Sequence, residues 1–143
     1  MIRVFEPSIT YKDKISVFKA LSRNNISGTS PVVKDFEERI SENFDRDYCV
    51  AVSNGSVALD IAFKVLDLKE KDEVILPSFT IISCLSAVIR SGATPVFCDV
   101  DKNTWNMSLQ NVKEKITKNT KAVLMVHTYG LTAEAKKISN LCK

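Results

Sequence analysis

Short continuous apolar runs alternate along most of this chain with longer stretches whose apolar residues recur every three or four positions. The runs at 48–52, 73–76, 94–100 and 122–126 read as buried strands. The stretches at 56–68, 79–90, 108–116 and 132–141 read as helices. Ahead of them, Ile15, Phe18, Ala20 and Leu21 mark an amphipathic helix over 11–23. Val33, Phe36 and Ile40 mark a second over 33–44. Between those two lies a polar turn over 24–31 with Gly28 as its flexible point. Punctuation supports several boundaries: Pro77 ends a strand, Ser91-Gly92 stops a helix, and Ser108 and Thr132 stand as N-caps.

Strand and helix alternating in this way predict an α/β fold, a mainly parallel sheet flanked by helices. The strand runs are apolar throughout rather than alternating, as strands buried on both faces should be. The two leading helices pack either outside the sheet or on a neighbouring subunit. Open parallel sheets collect ligands at the carboxyl ends of their strands. Four loops fall at such ends: Ser53-Asn54-Gly55-Ser56, Pro77-Ser78-Phe79-Thr80, Asp99-Val100-Asp101 and His127-Thr128-Tyr129-Gly130.

Composition narrows the classes. The chain has 143 residues, 45% of them hydrophobic and 26% charged, enough for a domain with a real core. A net charge of +3, spread among both signs, supports neither nucleic-acid nor membrane-surface binding. No apolar run approaches the roughly 20 residues that span a bilayer, and the first residues lack the apolar core of a signal peptide. Cys49, Cys84, Cys98 and Cys142 are scattered, and His127 is the only histidine, so no metal site is expected. Cys49 and Cys98 read as small buried thiols, and a reducing, cytoplasmic setting fits them.

The candidate chemistry starts at Ser53-Asn54-Gly55-Ser56. A helix that begins here offers unpaired backbone N–H groups and the positive end of its dipole, a seat for a phosphate. By themselves the same residues read first as an ordinary capped helix start. His127 reads as a hydrogen-bonded structural residue. Asp99 and Asp101 form an acid pair whose simpler role is to organise their loop. Phe79 and Trp105 read as packing residues, and Tyr129 as support for a ligand or for the strand end.

Five blocks in series carry a family resemblance: Ser-Asn-Gly-Ser-Val-Ala-Leu at 53–59, Asp-Glu-Val-Ile-Leu-Pro-Ser-Phe-Thr at 72–80, Gly-Ala-Thr-Pro-Val-Phe-Cys-Asp-Val-Asp at 92–101, Thr-Trp-Asn-Met-Ser at 104–108, and Val-His-Thr-Tyr-Gly at 126–130. Together they resemble the start of the DegT/DnrJ/EryC1/StrS family, pyridoxal-phosphate-dependent aminotransferases of nucleotide-sugar metabolism. Within it they look most like perosamine synthase-type enzymes, which aminate a 4-keto-6-deoxysugar. The resemblance implies the N-terminal part of the large domain of fold type I, the aspartate aminotransferase-like fold. It implies pyridoxal 5'-phosphate as cofactor, with its phosphate at Asn54, Gly55 and Ser56. It places Ile81 where the family has an aromatic that stacks on the cofactor ring; an aliphatic side chain covers the ring by dispersion alone. Ser27 and Gly28 would face the substrate in a partner's site, within a homodimer that takes a nucleotide sugar and an amino-acid donor.

No lysine here matches the family's Schiff-base lysine, so no catalytic residue is assigned, and that lysine is expected beyond Lys143. The expected layout is a helix and active-site or dimer-facing segment over 1–31 and an incomplete cofactor-binding domain over 32–143. As it stands, the chain is expected to be inactive. Some family members carry histidine at the lysine position and dehydrate their sugar. A non-catalytic truncated paralogue or dimerising domain on the same scaffold is the other alternative.

Overall fold

The structure is a computed structural model and describes residues 6–143; the first five residues of the segment 1–31 lie outside the described residues. They form two compact units, one ending at Ala51 and one running Val52–Lys143.

The first unit holds helices α1 (Tyr11–Ser22) and α2 (Pro31–Asn43). A reciprocal capping box starts α1: the Thr10 hydroxyl accepts from the Asp13 amide, and the Asp13 carboxylate accepts from the Thr10 amide. The Thr10 hydroxyl also donates to the Asp13 carboxylate at 2.7 Å, and that bond first, then the one from the Thr10 amide, holds the Asp13 carboxyl below its ordinary range. Pro31 takes the first helical position of α2, where its missing N–H costs nothing. The left-handed residue of the intervening turn is Asn24, with φ 55°, and not Gly28. Asparagine tolerates that conformation at a helix end because its short polar side chain bonds locally.

The run 48–52 forms no strand. A strand exists only where its backbone finds a ladder, and this run joins none of the three strands of the sheet. The Ala51 amide instead donates to the Glu37 carboxylate of α2 at 2.7 Å, and Tyr48 and Val50 are 89% and 75% exposed. β-branched composition favoured an extended backbone but could not supply the neighbour. Cys49, on the same run, is half-buried rather than buried.

The second unit is the α/β body: α3 (Gly55–Val65), β1 (Glu73–Pro77), α4 (Ile82–Arg90), β2 (Thr94–Cys98), α5 (Leu109–Lys115), β3 (Thr120–Val123), a 3₁₀ turn at Thr128–Gly130, and α6 (Ala135–Leu141). The sheet is parallel with order β2-β1-β3, so β1 lies at its centre. Alternation along β1 divides the core. Val74 and Leu76 pack with Phe63, Cys84, Ala87 and Val88 from α3 and α4. Ile75 packs with Cys98, Met107, Val112 and Ile138, reaching α5 and α6. Both faces are covered, which is why β1 reads as one unbroken apolar run. The two crossovers leave in opposite directions across the sheet. Equal handedness then puts α4 and α5 on opposite faces, as observed.

Several boundaries moved: α3 ends at Val65 rather than 68, β2 at Cys98 rather than 100, and β3 is Thr120–Val123 rather than 122–126. The last helix starts at Ala135 with Glu134 as its N-cap, so Thr132 caps nothing. The apolar run after residue 79 becomes helical only at Ile82. Other punctuation held: the Ser108 hydroxyl accepts from the Asn111 amide at 3.1 Å, and Gly92 sits at φ 84° beyond the end of α4.

Candidate functional site

The carboxyl edge of the sheet gathers the loops after β1, β2 and β3. The chain leaves β1 for α4 on one face and leaves β3 for α6 on the other. Between these adjacent strands lies the topological switch point, where parallel sheets open a crevice. A recess of about 350 Å³ opens on this edge, lined by Phe79, Trp105, Thr128, Tyr129 and Leu131 among others. Phe79 and Trp105 meet edge to face, with ring centroids 4.6 Å apart, so packing is the role the structure gives them.

The candidate anion seat lies at the start of α3. Asn54 caps the helix: its Oδ1 accepts from the Val57 amide at 3.1 Å, and its carbonyl accepts from Ala58 at 3.2 Å. The two earlier amides, Gly55 and Ser56, have no partner among the described residues. These N–H groups and the helix dipole favour an anion. A Cβ placed on Gly55 would meet nothing within 4 Å. The chain's own packing therefore does not demand glycine there, and with Gly55 exposed the first turn is open on that side to a bulky anion such as a phosphate ester. The residues fit such a group.

Ser56 reaches across to the next helix, its hydroxyl donating to Ser83 Oγ at 2.9 Å. Ile81, the N-cap residue of α4, stands two residues before Ser83 and is 68% exposed. Asn54, Gly55, Ser56 and Ile81 are thus gathered at one corner, where the N-termini of α3 and α4 meet. Ser27 and Gly28 lie in the first unit, on the loop between α1 and α2. There the Ser27 hydroxyl pairs with Thr29 Oγ1 at 3.0 Å and Gly28 is exposed.

The remaining polar candidates are organisers. Asp101 Oδ1 accepts from the amides of Thr104 and Asn103 and from the Thr104 hydroxyl. The Thr104 amide first, then Asn103, lowers its carboxyl below the ordinary range. Asp99 accepts from the Val100 amide at 2.8 Å. His127 Nδ1 accepts from the Ala133 amide at 3.1 Å, which places the neutral ring's proton on Nε2. Two residues that sequence reasoning missed belong here. Asn106, 4% exposed, ties the loop after β2 to the loop after β3: Oδ1 accepts from the Thr128 amide and Nδ2 donates to the Leu131 carbonyl, each at 2.9 Å. Glu134 caps the first amide of α5 by accepting from Leu109 at 2.9 Å, which, with Lys137, lowers its own carboxyl. Both bonds span some 25 positions, and no local pattern signals them.

Among the described residues, no group of three or more His, Cys, Asp or Glu could hold a metal, and no helix is long and apolar enough to cross a membrane.

A parallel sheet with helices on both faces is the architecture of fold-type-I aminotransferases. The aminotransferase from Psychrobacter cryohalolentis has this fold, with a TM-score of 0.85 and 34% identity over 94% of this chain and 34% of that one. A GDP-4-keto-6-deoxymannose-3-dehydratase, solved with a trapped PLP-glutamate geminal diamine, also shares it, with a TM-score of 0.83 and 27% identity over 94% of this chain and 36% of that one. The chain belongs to the DegT/DnrJ/EryC1/StrS aminotransferase family, which it matches over residues 8–143. It is 40% identical to the GDP-perosamine synthase of Escherichia coli O157:H7, over 99% of this chain and 39% of that protein. The chain thus spans about two fifths of the length of this curated relative.

Proposed function

We propose that this chain is the N-terminal portion of a pyridoxal-phosphate-dependent aminotransferase that aminates a nucleotide-linked 4-keto-6-deoxysugar, with an amino acid as donor. The observation that carries the reading is the pair of unpartnered amides at Gly55 and Ser56, in a chain that matches the family from residue 8 onward. The similarity to a GDP-perosamine synthase supports the substrate class.

When bound, the cofactor supplies the carrier for the amino group and the electron sink for the transfer. This chain's residues would hold and orient it. Gly55 and Ser56 donate to the phosphate, and Asn54 keeps α3 wound so that their amides stay parallel. Ile81 covers one face of the ring and excludes water from it. Ser27 and Gly28 contact the sugar in a partner's site within a homodimer. The catalytic lysine is supplied by residues beyond Lys143. Dehydration is the second reading, favoured by the similarity to the dehydratase; the residue at the lysine position separates the two.

The binding half is tested with pyridoxamine phosphate against pyridoxamine. Neither carries an aldehyde, so surface lysines do not react with them. Tighter binding of the phosphorylated compound is expected, and equal binding would overturn the assignment of the seat. The reaction is tested on a protein extended past Lys143, given a GDP-linked 4-keto-6-deoxysugar and glutamate. The amino sugar is expected; a dehydrated sugar would favour the second reading.

A further inference from the structure

We infer that Ser83 is a positioning residue for the anion seat: its hydroxyl backs the Ser56 hydroxyl and strengthens it as a phosphate donor. This rests on the seat being the cofactor's phosphate site. Without an anion, the Ser56 hydroxyl spends its only proton on Ser83 Oγ, 2.9 Å away across the α3–α4 junction. A phosphate has no proton to offer at this seat and asks Ser56 for that same proton. A hydroxyl has one donor and two acceptor positions and rotates to suit its neighbours. The pair therefore reverses on binding: the Ser83 side chain turns so that its O–H donates to Ser56 Oγ, and Ser56 O–H donates to the phosphate.

Ser83 is free to do this, because its hydroxyl makes no other hydrogen bond among the described residues. The pair is half-buried, so water competes only partly for either oxygen. A donor behind a donor polarises it, and Ser83 O–H directed at Ser56 strengthens the bond from Ser56 to the anion. The position reinforces the chemistry. Ser83 is the second residue of α4, and the amides of Ile82 and Ser83 are themselves without partners among the described residues. The positive end of a second helix therefore lies beside the seat. With alanine at 83, Ser56 could still donate to the phosphate, but its oxygen would lose its only protein partner.

The test compares the wild type, Ser83→Ala and Ser83→Thr by titration with pyridoxamine phosphate and with pyridoxamine. Ser83→Ala is expected to weaken pyridoxamine phosphate about fivefold, the loss of one supporting hydrogen bond, and to leave pyridoxamine unchanged. Ser83→Thr, which keeps the hydroxyl, restores the phosphate preference. A purely structural role would move both ligands together and would not be rescued selectively. A wild type that prefers the phosphorylated compound while Ser83→Ala keeps the full preference overturns the inference alone. A wild type with no preference overturns the phosphate seat and this inference with it.

Discussion

Asn106 makes the sharpest test of how the carboxyl edge is held. Its side chain is 4% exposed, and both ends of its amide are used, on the Thr128 amide and the Leu131 carbonyl. Only one orientation of that amide satisfies both. Asn106→Ala strands the two backbone groups at once. An unsatisfied buried group costs about 1–3 kcal/mol. Leu131 is 53% exposed, so water replaces the lost donor there, while Thr128 is half-buried and recovers less. The expected loss is therefore about 2 kcal/mol rather than the full sum of two buried groups. At about 3 °C per kcal/mol for a chain of this size, the melting temperature falls by about 6 °C. Urea denaturation gives the free energy, and amide exchange at Thr128 locates it. Asn106→Asp sharpens the comparison. It keeps an acceptor for Thr128 but sets a carboxylate oxygen against the Leu131 carbonyl. At pH 7 it should destabilise at least as much as Asn106→Ala, and the difference should shrink as acid protonates the new carboxyl. A loss under about 0.5 kcal/mol for Asn106→Ala, with Thr128 exchange unchanged, would refute the clamp.

Two further outcomes are expected. Gly92→Ala should cost about 1 kcal/mol from backbone conformation alone, since Gly92 has φ 84° and an added Cβ would meet nothing within 4 Å; urea denaturation checks this, and a neutral result would mean that the turn relaxes. Asp101 has a folded-state pKa below its ordinary 3.8, so its contribution is complete above that value and is lost as pH falls through the lower folded value. Acid titration of the Thr104 amide signal should show the loop opening below about pH 4, and Asp101→Asn should remove that dependence.

The chain's own pattern reached the fold class because local and global signals agree in the second unit. The central run at 73–76 is apolar at every position after Glu73, and the structure buries it on both faces with successive residues in opposite clusters. Ser108 and Gly92 acted where they were read, since a cap bonds within its own turn and a left-handed residue needs only its own backbone. Asp101 and His127 were legible as organisers for the same reason, their partners lying within six positions.

What the chain determines alone is therefore local: the period of its helices, a cap such as Ser108, and the two unpaired amides that a helix starting at Gly55 presents. The tertiary structure decided everything that depends on a distant partner. It left 48–52 without a ladder, because pairing belongs to a neighbour and not to composition. It brought Ser83 to Ser56 across 27 positions and Asn106 to the loop after β3. Hydrogen bonds of that kind carry no periodicity, since they are set by where two helices or loops end in space. The unpaired amides at the start of α3 were visible in sequence; the hydroxyl behind Ser56 was not.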